Sequence, residues 1–90
     1  MNKAELVNSL AETTGLTKTK TNEVIDSLVS IITETLKSGE KVTLVGFGTF
    51  TTTQREARKG RNPKTGETLD IPSKRVAKFR AGSELTKSVN

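Results

Sequence analysis

Nine of the chain's fifteen basic residues lie between Gln54 and Arg80: Arg55, Arg58, Lys59, Arg61, Lys64, Lys74, Arg75, Lys78 and Arg80. Glu56, Glu67 and Asp70 oppose them, so the stretch carries a net +6, while the other 63 residues hold six basic and seven acidic side chains, a net of −1. The formal +5 of this 90-residue chain is therefore local. A concentrated positive field is how a small protein finds a polyanion. Guanidinium and ammonium groups at this density do non-covalent chemistry: they neutralise phosphates and release counterions.

Other chemistries find little support. Histidine and cysteine are absent, which removes the usual general base near neutral pH, the best thiol nucleophile and any Cys-based zinc site. The ten carboxylates are scattered, with no apolar context to raise a pKa. Gly46, Gly48, Gly60 and Gly66 make no phosphate loop, because no Gly-Lys-Ser/Thr opens a helix. The reading is of a protein that is not an enzyme and needs neither metal nor cofactor. No apolar run approaches the roughly 20 residues that span a bilayer, and Met1-Asn2-Lys3-Ala4-Glu5 has no apolar signal core. A soluble, cytoplasmic protein without a membrane partner is expected.

The elements that must position these charges follow from the periodicity. Asn2 and Glu5 form a capping-box pattern, and Leu6, Val7, Leu10 and Ala11 mark one face of a helix over residues 3–13, stopped by Gly15. Thr17 is a candidate N-cap for a second helix. Val24, Ile25, Leu28, Val29, Ile31, Ile32 and Leu36 keep helical spacing along it, and Ser38-Gly39 ends it. Lys41-Val42-Thr43-Leu44-Val45 then alternates as a strand, Gly46-Phe47-Gly48 turns, and Thr49 to Thr53 starts a second strand. From Gln54 the chain is expected to run on as one β-ribbon, turn at Asn62-Pro63-Lys64-Thr65-Gly66 and return through Leu69, Ile71 and Arg75. Alternation places Arg55, Ala57, Lys59 and Arg61 on one ribbon face and Glu56 and Arg58 on the other. Gly60 and Pro72 are expected to weaken regular pairing. Val76 to Arg80 rejoins the body, and Gly82-Ser83 caps a last helix with Leu85 and Val89 inward.

Apolar residues make up 31% of the chain, and its aromatics are Phe47, Phe50 and Phe79, so a 90-residue domain has a marginal core of its own. With no disulfide available, oligomerisation is the remedy left, and an obligate homodimer with a shared core is expected. Leu28, Ile32 and Leu36 from the second helix belong to that core, with Leu44, Phe47, Phe50 and Phe79 from the strands. The phenylalanines alternate with apolar strand residues, which fits packing better than base stacking. The helix carrying Ile31 and Ile32 also holds Glu23, Asp26 and Glu34 and lacks a basic rim, which fits a dimer core better than a membrane surface.

At the ribbon tip, Pro63 suits the first corner of a turn and Gly66 its left-handed position. The alternative makes Pro63 an apolar wedge between base pairs, with Arg58, Lys59, Arg61 and Lys64 holding the bent backbone. Spacing alone leaves both open.

Gly46-Phe47-Gly48-Thr49-Phe50, the run Ala57 to Gly66, Ile71-Pro72 and Phe79 together resemble the bacterial HU family of histone-like DNA-binding proteins, collinearly from Met1-Asn2-Lys3 to Val89. Members of this family are themselves standard examples of minor-groove benders, so the wedge role is what the resemblance implies and not a derivation from spacing. The fold implied is α+β: an intertwined dimer with a helical base, a β-sheet saddle and two protruding β-ribbon arms. Its parts would be a helical dimerisation region (1–39), saddle strands (40–53 and 76–81), a DNA-binding arm (54–75) and a C-terminal helix (82–90). By position, Arg55, Arg58, Lys59, Arg61, Asn62 and Lys64 would line phosphates and groove walls, and Pro63 would intercalate. Lys74, Arg75, Lys78 and Arg80 would hold DNA at the arm base and saddle, with Lys3 on the flanking path. The chain departs from many relatives at Thr53, where a basic residue is common, at Ser83 and Thr86, where lysines are, and at Val29, where an aromatic is; Lys78 and Lys87 partly restore the charge.

The function implied is binding and bending of double-stranded DNA in the nucleoid with little sequence preference, nicked, gapped or flexible DNA being easier to kink. Two other readings keep the same charges: a site-specific bender resembling integration host factor, and a basic interaction module for RNA or acidic partners.

Overall fold

The computed structural model describes residues 1–90 and contains three helices and five strands, an α+β chain as expected. Chain contacts divide it into two compact units, Met1–Thr35 and Leu36–Asn90.

The first unit holds α1 (Lys3–Thr14) and most of α2 (Lys18–Lys37). Asn2 caps α1 by accepting a 2.9 Å hydrogen bond from the Glu5 amide, which satisfies one of the donors that a helix start leaves free. Gly15 ends α1 at φ 77°, with its amide donating to the Ala11 carbonyl at 2.9 Å; this left-handed stop favours glycine. Thr17 caps α2 through its hydroxyl, which accepts from the Lys20 amide at 3.1 Å. The unit's buried side chains are Val7, Ala11 and Thr21, the last fully enclosed with its hydroxyl donating to the Thr17 carbonyl at 2.8 Å.

The second unit is built on a three-stranded antiparallel sheet in the order β1 (Val42–Leu44), β2 (Gly48–Arg55) and β5 (Lys74–Ala81). Gly46 turns β1 into β2 at φ 85°. A separate two-stranded sheet pairs β3 (Arg58–Arg61) with β4 (Thr68–Ile71). The ribbon expected as one continuous element is therefore interrupted, at residues 56–57 on the outgoing strand and 72–73 on the return. Pro72 supplies the reason, since it has no amide hydrogen to continue a ladder. Gly60, expected to disturb pairing, instead sits within β3 opposite Leu69. A Cβ there would come within 3.1 Å of Ile71 Cδ1, so glycine makes room for that side chain.

Three phenylalanines pack together on this sheet: the Phe79 ring lies 5.3 Å from Phe47 and 5.0 Å from Phe50, both tilted, a favoured aromatic geometry. Gly48 lies under the Phe79 ring, buried. The short α3 (Ser83–Ser88) follows Gly82, with Leu85 half-buried. Val89, expected inward, is the residue that ends α3 and is 75% exposed.

The apolar residues expected to form a core are largely open in the single chain. Leu28 is 48% exposed, Phe79 42%, and Leu44 and Phe47 are exposed as well, while Ile32, Leu36 and Phe50 are half-buried. Val7 and Ala11 are the buried hydrophobic residues. No helix is long and apolar enough to cross a membrane.

Candidate nucleic-acid interface

The strand register sorts the charged stretch by face. Residues directly opposite in an antiparallel pair share a face, and successive residues alternate. The β2–β5 ladder pairs Thr49 with Arg80, Thr51 with Lys78, Thr53 with Val76 and Arg55 with Lys74. Thr43 joins this face opposite Thr49, the two hydroxyls 3.3 Å apart. One face of the sheet thus presents Arg55, Lys74, Lys78 and Arg80 among a row of threonines. The other face holds the Phe50–Phe79 pair, Thr52 with Ala77, and Gln54 with Arg75.

Arg75 thus departs from the other sheet cations. It lies on the aromatic face, and its Nη2 donates to the carbonyl oxygen of Leu36 at 2.6 Å. None of the nine cations forms an ion pair, and all nine, Arg75 included, are exposed.

Beyond the interruption, β3 pairs Arg58 with Ile71, Lys59 with Asp70, Gly60 with Leu69 and Arg61 with Thr68. Lys59 and Arg61 share one face, as expected; Arg58 lies on the other, beside the apolar strip of Leu69 and Ile71. Arg55 lies across the unpaired residues 56–57 from Lys59 and Arg61, and the register resumes beyond them without a shift, Arg55 opposite Lys74 on one side and Arg58 opposite Ile71 on the other. A cleft of about 560 Å³ opens at that break, bringing together Arg55, Arg58 and Lys74 with Ile71 and Pro72.

The tip is a closed turn held by its own backbone. The Asn62 amide donates to the Glu67 carbonyl and the Gly66 amide to the Asn62 carbonyl, both at 2.8 Å. Asn62 Oδ1 accepts from the Lys64 amide at 2.9 Å, a side-chain turn that asparagine forms readily. Gly66 takes φ 74°, the left-handed position assigned to it. Pro63 and Lys64 are exposed at the apex. Asn62 therefore shapes the turn from inside, and Pro63 is what the turn presents.

Lys3 lies in the first unit, apart from this cluster in the sequence. Its Nζ is 2.6 Å from Asp26 Oδ1, and Asn22 Nδ2 donates to the other carboxylate oxygen at 3.2 Å. Both charged partners remain about half exposed, at 56% and 54%. The 23-residue separation from Asp26 leaves no local signal of this pair in the sequence.

The threonine row was also missed as part of the site. Thr49-Phe50-Thr51-Thr52-Thr53 alternates around an inward Phe50, and that alone sends Thr49, Thr51 and Thr53 outward with the cations.

The sequence and the fold match a known class. The family described as "Bacterial DNA-binding protein" matches residues 1–90, and the chain belongs to that family. Within it, the chain is 50% identical to DNA-binding protein HU of Clostridium pasteurianum over 90 residues, covering 100% of this chain and 99% of that one. It is 48% identical to DNA-binding protein HU of Geobacillus stearothermophilus over 89 residues, 99% of each. The solved structure of an Anabaena HU–DNA cocrystal superposes with a TM-score of 0.91 at 47% identity, covering 99% of this chain and 97% of that one.

Proposed function

We propose that two copies of this chain form a histone-like architectural homodimer that binds double-stranded DNA with little sequence preference and bends it. The observation that carries this is the distribution of unpaired cations. They lie on one face of the three-stranded sheet and along the β3–β4 arm, as a DNA floor with a projecting ribbon requires. The relative with TM-score 0.91 is a DNA cocrystal, and a shared fold at 47% identity supports the same partner here.

On this reading Arg55, Lys74, Lys78 and Arg80 meet phosphates across the sheet face, and Thr49, Thr51 and Thr53 offer neutral hydroxyls between them. Lys59 and Arg61 line one wall of the minor groove, with Arg58 on the other side of the arm and Lys64 at the apex. Asn62 and Gly66 hold the turn so that Pro63 projects as an apolar wedge, partly unstacking a base step and kinking the duplex. Most of the affinity is counterion release and falls steeply with salt. The chain makes and breaks no covalent bond. It needs no cofactor and acts in the cytoplasm, on the nucleoid.

The second copy follows from burial. Two hydrophobic residues are buried in the single chain, while Val24, Leu28, Val29, Ile31, Leu44 and Phe47 stand open to water. A partner covering Leu28, Ile32 and Leu36 and the aromatic group would complete a core that 90 residues alone leave unfinished.

The test is a titration of doubly labelled duplexes, intact and gapped, in two unrelated sequences. Similar affinity for both sequences, tighter binding to gapped DNA and a shortened end-to-end distance are expected, with Pro63→Ala reducing the bend more than the affinity. Strong preference for one intact sequence would replace the proposal with a site-specific bender. Binding without shortening would remove the wedge.

A further inference from the structure

Arg75 is separated from its charged neighbours by the register itself. Along β5, Lys74, Val76, Lys78 and Arg80 share one face, and Arg75, Ala77, Phe79 and Ala81 the other. From there Arg75 Nη2 reaches the Leu36 carbonyl at 2.6 Å, in the last turn of α2, an oxygen that also accepts the Gly39 amide at 3.1 Å. The last carbonyls of a helix lack intrahelical partners and carry partial negative charge. A guanidinium donor there satisfies both conditions with a charge-assisted bond. Arg75 pairs with Gln54, the last rung but one before the β2–β5 ladder stops at Arg55 and Lys74.

We propose that Arg75 is a positioning residue that ties the final rungs of the sheet to the end of α2, fixing the base from which the arm departs, and that it contacts no phosphate. The second half rests on the DNA-binding reading given above; the tie itself does not.

The experiment compares Arg75→Ala with Lys74→Ala, adjacent residues of equal charge on opposite faces. Thermal unfolding and amide exchange of residues 54, 55 and 74 are read without DNA, and binding to an intact duplex is read over a salt series. Arg75→Ala is expected to lower the melting temperature by about 5 °C and to speed exchange of those amides about tenfold. Its affinity should fall by the same factor at every salt concentration, with the slope of log K against log salt unchanged. Lys74→Ala should leave melting and exchange as in the parent protein and flatten that slope by about 1.8, two contacts per dimer. Arg75→Gln keeps a shorter donor without the charge, so an intermediate melting temperature with an unchanged slope is expected; it decides the matter if Arg75→Ala fails to fold. An Arg75 variant that flattens the slope as Lys74→Ala does, with melting and exchange untouched, overturns the proposal. If the parent protein does not bind DNA, the functional reading fails, and melting and exchange still decide the tie.

Discussion

Replacing Lys78 by alanine tests the sheet face and the symmetry of the assembly together. Lys78 is exposed, sits opposite Thr51 and has no protein partner. Its truncation should therefore change folding stability by no more than about 0.5 kcal/mol. If it meets a phosphate, each lost contact flattens the plot of log K against log salt by about 0.9. A homodimer loses two, so the slope should flatten by about 1.8. Between 50 and 200 mM salt, a fourfold change, the ratio of parent to variant affinity should then shrink about twelvefold.

Fluorescence anisotropy on one intact duplex at five or six salt concentrations gives the slope. Lys20→Ala is a suitable control, since Lys20 lies in the first helical unit 3.5 Å from Glu23, and its slope should match the parent's. An unchanged slope for Lys78→Ala, with melting also unchanged, would mean that the threonine-lined face is not the DNA floor. Flattening by about 0.9 would mean that only one of two copies touches DNA through this face, and the symmetric saddle would have to be given up.

Three further outcomes are expected. Gly48→Ala should destabilise the protein by about 2–3 kcal/mol, because the new Cβ would lie 2.5 Å from the Phe79 ring and 2.6 Å from the Arg80 carbonyl; urea unfolding would show a lowered midpoint with the m-value retained. Asp26→Ala should steepen the salt slope on long duplexes but not on ones that only span the arms, since Lys3 would no longer have to leave a carboxylate 2.6 Å away; equal slopes for variant and parent on long DNA would rule Lys3 out of the path. The melting temperature should rise with protein concentration, as it does when folding and association are coupled, and a concentration-independent value would argue against the shared core.

Elements with strong local signals were legible in the sequence, and those set by distant partners were not. Asn2, Gly15 and Gly66 acted through turn and cap chemistry confined to a few residues, and the structure places them as that chemistry demands. The aromatic strands could be read because Phe50 and Phe79 each sit in an alternating pattern, with Phe47 in the glycine-flanked turn beside them. The interruption of the ribbon was only half legible: Pro72 announces a missing donor, but which residues of the outgoing strand fall opposite it depends on register. Gly60 was misread for the related reason that its role is to accommodate Ile71 across the ladder. Counting charge found the candidate interface but could not tell its nine cations apart. Arg75 among them, and Lys3 outside them, are distinguished by partners 39 and 23 residues away.

That distinction shows how packing decides function here. In β5 Lys74, Lys78 and Arg80 lie on the face opposite Phe79, so a one-residue slip of its pairing would carry them to the aromatic side and Phe79 into water. Electrostatics cannot choose between these registers, because an extended basic strand attracts a polyanion in either. Phe79 can choose. Its ring packs against both Phe47 and Phe50, and it fits over residue 48 only because that residue has no side chain. The aromatic cluster, which touches no DNA in the proposed mechanism, therefore determines which charges the DNA meets. On this argument, loss of Gly48 or Phe79 should scramble the salt dependence of binding as well as lower stability, whereas loss of Lys78 should change the salt dependence alone.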